Sequence, residues 1–425
     1  MATPDAQPFT DLTSFIHEAP TPFHAVDALQ RRLHDQGFVT LAEIDRWPAE
    51  PGRYLVVRDG SMVAWVLGDG HSPGQGFRIV GAHTDSPNLR LKPRPDTGAA
   101  GYRQLGVEVY GGVLLNSWLD RDLGVAGRVV LGDGRVRLVR DDDHGVRVPQ
   151  LAIHLDRDVT ESGLVLNRQR HMAPVWGLGA SAAFLEAFCA AQDGLDPDEV
   201  VAFDLMLHGL EAPRRLGYDG ELLAAPRIDN LLSCHAGIDA LVRLDQPTPT
   251  VPVVALFDHE EVGSTSASGA ASPLLRGTLD RVVAQMGGTG SDAARSMAAS
   301  VMLSADGAHA THPNYIDRHE PDHHIALNAG PVIKRNANAR YATDAVSEAT
   351  FMEVCRQRDI PFQQFVNRSD LACGSTIGPI SAAASGIRTL DVGIAQLSMH
   401  SIREVCGADD PVWFRAGLEG FLQSS

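Results

Sequence analysis

Residues 251–257, VPVVALF, form an unbroken apolar run rich in β-branched side chains, and the run opens directly into Asp258-His259-Glu260-Glu261-Val262-Gly263. Such a run reads as a short buried strand. Four further strand-like segments end in the same way: 77–80 before His83, 222–228 before Asp229, 301–304 before Asp306, and 387–392 shortly before His400. Open α/β sheets hold their ligands beyond the carboxyl ends of their strands. Strand ends carrying His, Asp, Glu, Asp and His therefore predict a single metal site. An isolated Glu-Glu pair is usually a solvated surface feature and a lone histidine usually a core residue. The coincidence of all five ends favours ligands.

The periodicity around these runs predicts an α/β fold. From Glu221 onward, helices at 229–243 and 344–358 alternate with buried strands, which predicts a mixed, mostly parallel sheet flanked by helices. Near the N-terminus Thr21 can cap a helix with Pro22 in its first turn, and Phe23, Val26, Leu29 and Leu33 share one face. Residues 54–58 and 62–67 flank Asp59-Gly60-Ser61 as a hairpin. Beyond Lys92 the texture changes. Residues 93–103, rich in Pro, Gly and Ala, read as a linker, followed by short alternating strands at 129–131 and 135–140, an exposed turn at 141–145 and a further strand at 146–155. A helix at 180–191 and a strand at 199–208 follow. The expected organisation is a discontinuous catalytic domain, 1–92 and 221–425, interrupted by a β-rich oligomerisation domain at 93–220.

Composition excludes several function classes. The length of 425 residues suggests roughly two to three domains. A net charge of −17 argues against a nucleic-acid partner and against anionic membranes. No apolar run approaches the ~20 residues of a membrane span, and the first residues lack the pattern of a signal peptide. The five scattered cysteines, with no CxxC pair, suit reduced thiols in a cytoplasmic protein.

Two zinc ions about 3.5–4 Å apart can clamp a hydrolytic reaction, polarising a carbonyl and acidifying water. Such a pair needs one carboxylate between the metals, and a histidine and a carboxylate on each. Two His, two Asp and one Glu meet that demand, and leave the other glutamate free to move protons. Other motifs fall away. His319-Glu320-Pro321-Asp322-His323 has the letters HExxH, but a mid-helix proline costs about 3 kcal/mol and breaks the face that the motif needs. Gly287-Gly288-Thr289-Gly290 lacks the Lys-Ser/Thr of a phosphate loop and reads as a flexible loop, and no GxSxG elbow is present.

GAHTDSP (81–87), LAIHLDR (151–157), APRIDN (225–230), DHEEVGS (258–264), SADGAHATHPNY (304–315), GPVIKRNANARYATDAVSEA (330–349), CGSTIGP (373–379) and QLSMHSIRE (396–404) together resemble the aspartyl aminopeptidase family of cocatalytic zinc exopeptidases. The resemblance covers nearly the whole chain. It implies two zinc ions per subunit, with His83, Asp229, Glu261, Asp306 and His400 as ligands and Asp229 as the bridge. It makes Glu260 the general base, a split between the two glutamates that spacing alone does not make. Asp85, two residues beyond His83, would orient that imidazole. His154 would reach the active site of a neighbouring subunit and stabilise the oxyanion. The family implies peptide substrates and a closed homo-oligomer, a dodecamer. A preference for acidic N-terminal residues needs a cation, for which Lys334, Arg335, Arg340 and Arg227 are candidates, with His309 and Tyr341 as polar contacts. The alternatives are a zinc carboxypeptidase or deacylase of the same architecture, and a metal-stabilised scaffold without catalysis.

Overall fold

The computed structural model describes residues 6–180, 183–245 and 247–425, apart from the side chains of 6–8. The chain divides into two compact units, the first Met1–Asp85, Pro213–Met399 and Glu404–Ser425, the second Ser86–Ala212 with His400–Arg403.

The first unit is built on a nine-stranded mixed sheet. At its centre Val251–Phe257 pairs in parallel with Phe77–His83, which pairs in parallel with Val301–Ala305, and that strand in turn with Arg388–Gly393. Antiparallel partners flank this core: Ser61–Leu67 on one side and Val332–Arg335 on the other. Along the central strands successive side chains serve opposite faces. Val80, Ala82, Val254 and Leu256 pack with the helices Ala6–Glu18, Pro22–Asp35, Ile228–Val242 and Asp410–Gln423. Ile79, Val253, Ala255 and Phe257 pack with Leu274–Gln285, Gly290–Ala299 and Ile377–Ser385. Both faces are covered, so the central strands are apolar throughout.

The expected helix starts are present. Thr21 accepts from the His24 amide, and Asp59 (φ 52) opens the turn between Gly52–Arg58 and Ser61–Leu67. The glycine-rich stretch is the expected loop through Thr289, and Thr289 and Asp292 close it with a reciprocal cap on the helix Gly290–Ala299. The strand expected at 222–228 ends earlier, as Leu222–Ala225, and lies in a separate five-stranded sheet. Asp229 instead stands in the first turn of the helix Ile228–Val242, because Pro226 and the left-handed Arg227 (φ 54) turn the chain first.

The second unit is a six-stranded antiparallel sheet. Residues 93–103 are no linker. They lie mostly in the hairpin of Asn88–Ala99 and Tyr102–Tyr110, closed by Ala100 and Gly101, both at positive φ. A register shift between Leu91 and Asp96 accommodates Pro93 and Pro95, which cannot donate to a ladder. The acidic stretch 141–145 is likewise strand, part of Val136–Val146; Asp142 is held by Arg140 at 2.6 Å and His208 at 3.2 Å. Strand pairing stops near Pro149. The strand expected at 146–155 is replaced by an exposed 3₁₀ turn, Ile153–Leu155, and His154 sits on that turn rather than in a strand. Among the described residues no helix is long and apolar enough to cross a membrane.

Candidate metal centre

Three side chains meet beyond the central strands of the first unit. His83 is the last residue of Phe77–His83, Asp229 opens Ile228–Val242, and Glu261 follows Val251–Phe257. One ligand atom from each lies within 4.8 Å of the others. The His83 Nε2 is 3.2 Å from Asp229 Oδ1 and 4.0 Å from Asp306 Oδ1. Asp306, directly after Val301–Ala305, is fixed by its amide, which donates to the Val392 carbonyl at 3.0 Å.

The electrostatics favour a cation here. Burial works against charge on His83, but hydrogen bonds to Asp229 and Asp85 and the charge of Glu260 outweigh it and hold the imidazole well above its ordinary range. The carboxylates that draw a proton to this ring would equally draw a metal. Burial raises the Glu260 carboxyl to about 9, helped by Asp306, Glu261 and Asp85 and opposed by His83. Asp306 is raised too, by burial and the Asp229 and Asp391 charges, against the pull of Lys334 and His83. Buried anions in such number need compensation. One imidazole nitrogen with two carboxylates is a donor set suited to zinc. The residues present fit that ion.

Polar contacts hold each ligand segment in place. The His83 Nδ1 is 2.9 Å from the Asp85 main-chain carbonyl and 3.5 Å from its carboxylate. The two oxygens of that carboxylate also accept the amides of Glu260 and Glu261, each at 3.1 Å. Asp85 thus ties the two strand ends together. Glu404, not singled out from the sequence, accepts the Asp229 amide at 2.9 Å, and Asn230 donates to the Ala305 carbonyl at 2.7 Å. Both lie inside stretches that carry the family resemblance. Their buried acidic or amide character was the available signal, but no strand-end pattern marks them.

The other anticipated residues fall into three places. Lys334, on Val332–Arg335, is buried; its Nζ donates to the Gly307 carbonyl at 2.8 Å and lies 5.0 Å from the Tyr341 ring centre. Tyr341 and His309 both meet Phe365 edge-on, at 6.4 and 6.3 Å, so these three residues gather around one aromatic. Arg335 pairs with Glu348, and Arg340 donates to the Gly374 carbonyl. His400 (φ 67) belongs to the second unit, its Nδ1 3.1 Å from the Gly112 carbonyl. His154 is exposed in the same unit. The stretch 319–323 forms no helix, so the HExxH letters carry no shared face.

Comparison with known proteins extends this picture. Residues 15–421 match the family model described as aminopeptidase I zinc metalloprotease (M18). A probable M18 family aminopeptidase 2 of Streptomyces coelicolor is 54% identical over 418 residues, 97% of each chain. Among solved structures, a chain of the cryo-EM structure of the Ape4 and Nbr1 complex aligns with a TM-score of 0.93 at 39% identity, covering 97% of this chain and 85% of that one. The S. cerevisiae mApe1 dodecamer aligns at 0.84 and 28% identity, covering 97% and 95%. The family match makes this fold, with its buried imidazole and clustered carboxylates, that of a zinc metallopeptidase. The chain belongs to the M18 aminopeptidase family.

The double acceptance by Asp85 leads to a direct expectation. Asp85→Asn leaves only one acceptor oxygen and turns an amide N–H₂ toward a main-chain N–H. Zinc affinity, measured by chelator competition, should fall about 10- to 100-fold, and turnover with it. Unchanged affinity would show that the carboxylate does not hold the glutamate turn.

Proposed function

We propose that the chain removes N-terminal residues from peptides at a centre of two zinc ions per subunit, held by His83, Asp229, Glu261, Asp306 and His400, with Asp229 between them. The supporting observation is the buried approach of His83, Asp229 and Glu261 at the ends of neighbouring elements, with Glu260 alongside. Zinc bound there supplies Lewis acidity toward the scissile carbonyl and toward water. Glu260 then moves the protons, taking one from the attacking water and delivering it to the leaving amine. Burial raises its carboxyl above the ordinary glutamate range, the direction that a proton carrier needs. Asp85, Glu404 and Asn230 keep the ligand segments from shifting as charge develops. The absence of any disulfide among the five cysteines suits a cytoplasmic setting, which cell fractionation would test.

The adjacent glutamates should separate by function. Glu260→Gln should retain zinc while turnover drops about 10²- to 10⁴-fold, because it removes the proton carrier and no ligand. Glu261→Gln should lose zinc affinity as well. Metal content and kcat measured side by side check this, and near-normal turnover in Glu260→Gln would remove Glu260 from the mechanism.

Within this reading the preferred substrate carries Asp or Glu at its N-terminus, recognised by Lys334. The support is a buried ammonium with one N–H on the Gly307 carbonyl, next to the proposed ligand Asp306, with Tyr341 and His309 nearby. A charge-assisted bond of about 1.5–3 kcal/mol corresponds to roughly ten- to a hundredfold selectivity. Asp306 and Asp391 already draw on the same charge, which sets the scale toward the lower end. Asp- and Glu-anilides should therefore exceed Leu- and Ala-anilides in kcat/KM, and Lys334→Met should erase the difference. A parent enzyme that prefers Leu would reject acidic recognition and leave the aminopeptidase reading intact.

We further assign self-assembly to the second unit, as a closed dodecamer in which His154 serves the active site of the neighbouring subunit. The support is the exposed apolar stretch around His154 (Leu151, Ile153, Leu155 and Val165) and the dodecameric mApe1 relative. Apolar patches of this kind mark association surfaces, and soluble homo-oligomers are usually closed and symmetric. Mixing inactive His154→Ala with inactive Glu260→Gln subunits should restore part of the activity. No recovery after verified subunit exchange would place His154 outside a shared site.

A further inference from the structure

Arg227 precedes Asp229 by two residues, and its guanidinium reaches the N-terminal helix. Nη2 donates to the Ile16 carbonyl at 2.8 Å and Nε to the Ala19 carbonyl at 3.0 Å. Ile16 lies in the last turn of the helix Ala6–Glu18. Its carbonyl would normally be met by the amide four residues on, but that residue is Pro20, which has no N–H. The arginine supplies the missing donor and sets a positive charge at the negative end of the helix.

The helix it grips is itself well seated. Leu12, Phe15 and Ile16 are buried, and the Asp11 carboxylate meets Arg32 at 2.9 Å and His235 at 2.7 Å. His235 lies on Ile228–Val242, the helix that Asp229 opens, so the two helices are joined at both places. Between the grip and the helix proper, the chain makes an irregular turn. Arg227 is left-handed, Asp229 and Asn230 depart from helical geometry, and the Arg227 carbonyl accepts the Leu231 amide at 3.1 Å. A non-glycine residue in this conformation persists only where its surroundings hold it. Asp229 leaves this turn with Oδ1 3.2 Å from His83 Nε2.

We propose that Arg227 is a positioning residue for the metal centre: by gripping the last turn of the N-terminal helix it holds the Asp229 turn in its metal-binding shape, which makes the helix Ala6–Glu18 part of the metal site's scaffold. This rests on the reading of Asp229 as a zinc ligand. Arg227 acts through the backbone of the 227–231 turn and touches no reacting atom.

Zinc affinity of the full-length protein, by chelator competition, and the visible spectrum of its cobalt-substituted form test this in Arg227→Met, Arg227→Lys, Asp11→Asn and Asp229→Asn. Arg227→Met should lose about 10- to 100-fold in zinc affinity and alter the cobalt spectrum. Arg227→Lys should recover part of the loss, since an ammonium can still serve one carbonyl. Asp11→Asn weakens contacts of the same helix away from the 227–231 turn, with the Arg227 grip intact, and should leave zinc affinity within about threefold, a difference that a general loss of stability would not produce. Should Arg227→Met fail to fold, Arg227→Lys decides the matter by the same measurement. Parent-like affinity in the folded Arg227 variants, while Asp229→Asn loses zinc, overturns the proposal alone. Parent-like affinity in Asp229→Asn overturns the Asp229 ligand reading and this proposal with it.

Discussion

Buried negative charge at the carboxyl ends of parallel strands is the constraint around which the first unit is organised. Asp229, Glu260, Glu261 and Asp306 crowd one imidazole, and burial raises the carboxyls of Glu260 and Asp306. Carboxylates that close repel one another unless positive charge is brought among them. Lys334, a permanent cation, reaches in from the antiparallel strand beside Arg388–Gly393 and acts on both Asp306 and Asp391. The family is one of zinc metalloproteases, and a cation among these carboxylates would relieve the remaining repulsion.

Holding anions in place against their own repulsion requires fixed dipoles. Main-chain amides and carbonyls meet several polar side chains around the centre: Asp85 takes two amides, Glu404 takes the Asp229 amide, Asn230 anchors to Ala305 and Lys334 to Gly307. Such contacts couple the clustered side chains to strands and helices whose apolar faces are covered on both sides, which gives the site the stiffness of the core. Left-handed backbone at Arg227 and at His259 falls in the segments that carry Asp229 and the Glu260–Glu261 pair. Non-glycine residues adopt that conformation at a cost, and it collects where side-chain direction matters more than local comfort.

Within the second unit the surprises share one cause. Pro93, Pro95 and the acidic stretch 141–145 carry the local chemistry of loops, yet they lie in strands. A register shift relieves the prolines, and Arg140 with His208 neutralises Asp142. The register shift is made with the neighbouring strand and His208 comes from a distant part of the sequence, while Arg140 stands two residues away on the same strand. Near 150–155 the opposite occurs: residues with strand-like alternation have no partner strand and curl into an exposed turn. Strand identity is a property of pairing, and pairing is not local.

Sequence by itself determined the sheet-and-helix class, the central strands, the helices near 22–35, 229–243 and 344–358, and three residues, His83, Asp229 and Glu261, that the fold brings together. Those features follow from side-chain periodicity and from the few residue types able to bind a hard or borderline cation, both readable along the chain. Tertiary structure alone decided that Asp229 arrives from a helix start rather than from the main sheet, that the Asp85 carboxylate joins two strand ends, that Glu404 holds the Asp229 amide, and that Arg227 is bound to the N-terminal helix. These are polar contacts across separations of 175 residues or more. Their geometry exists only after apolar burial has brought the segments together, and no periodicity within any one segment records it.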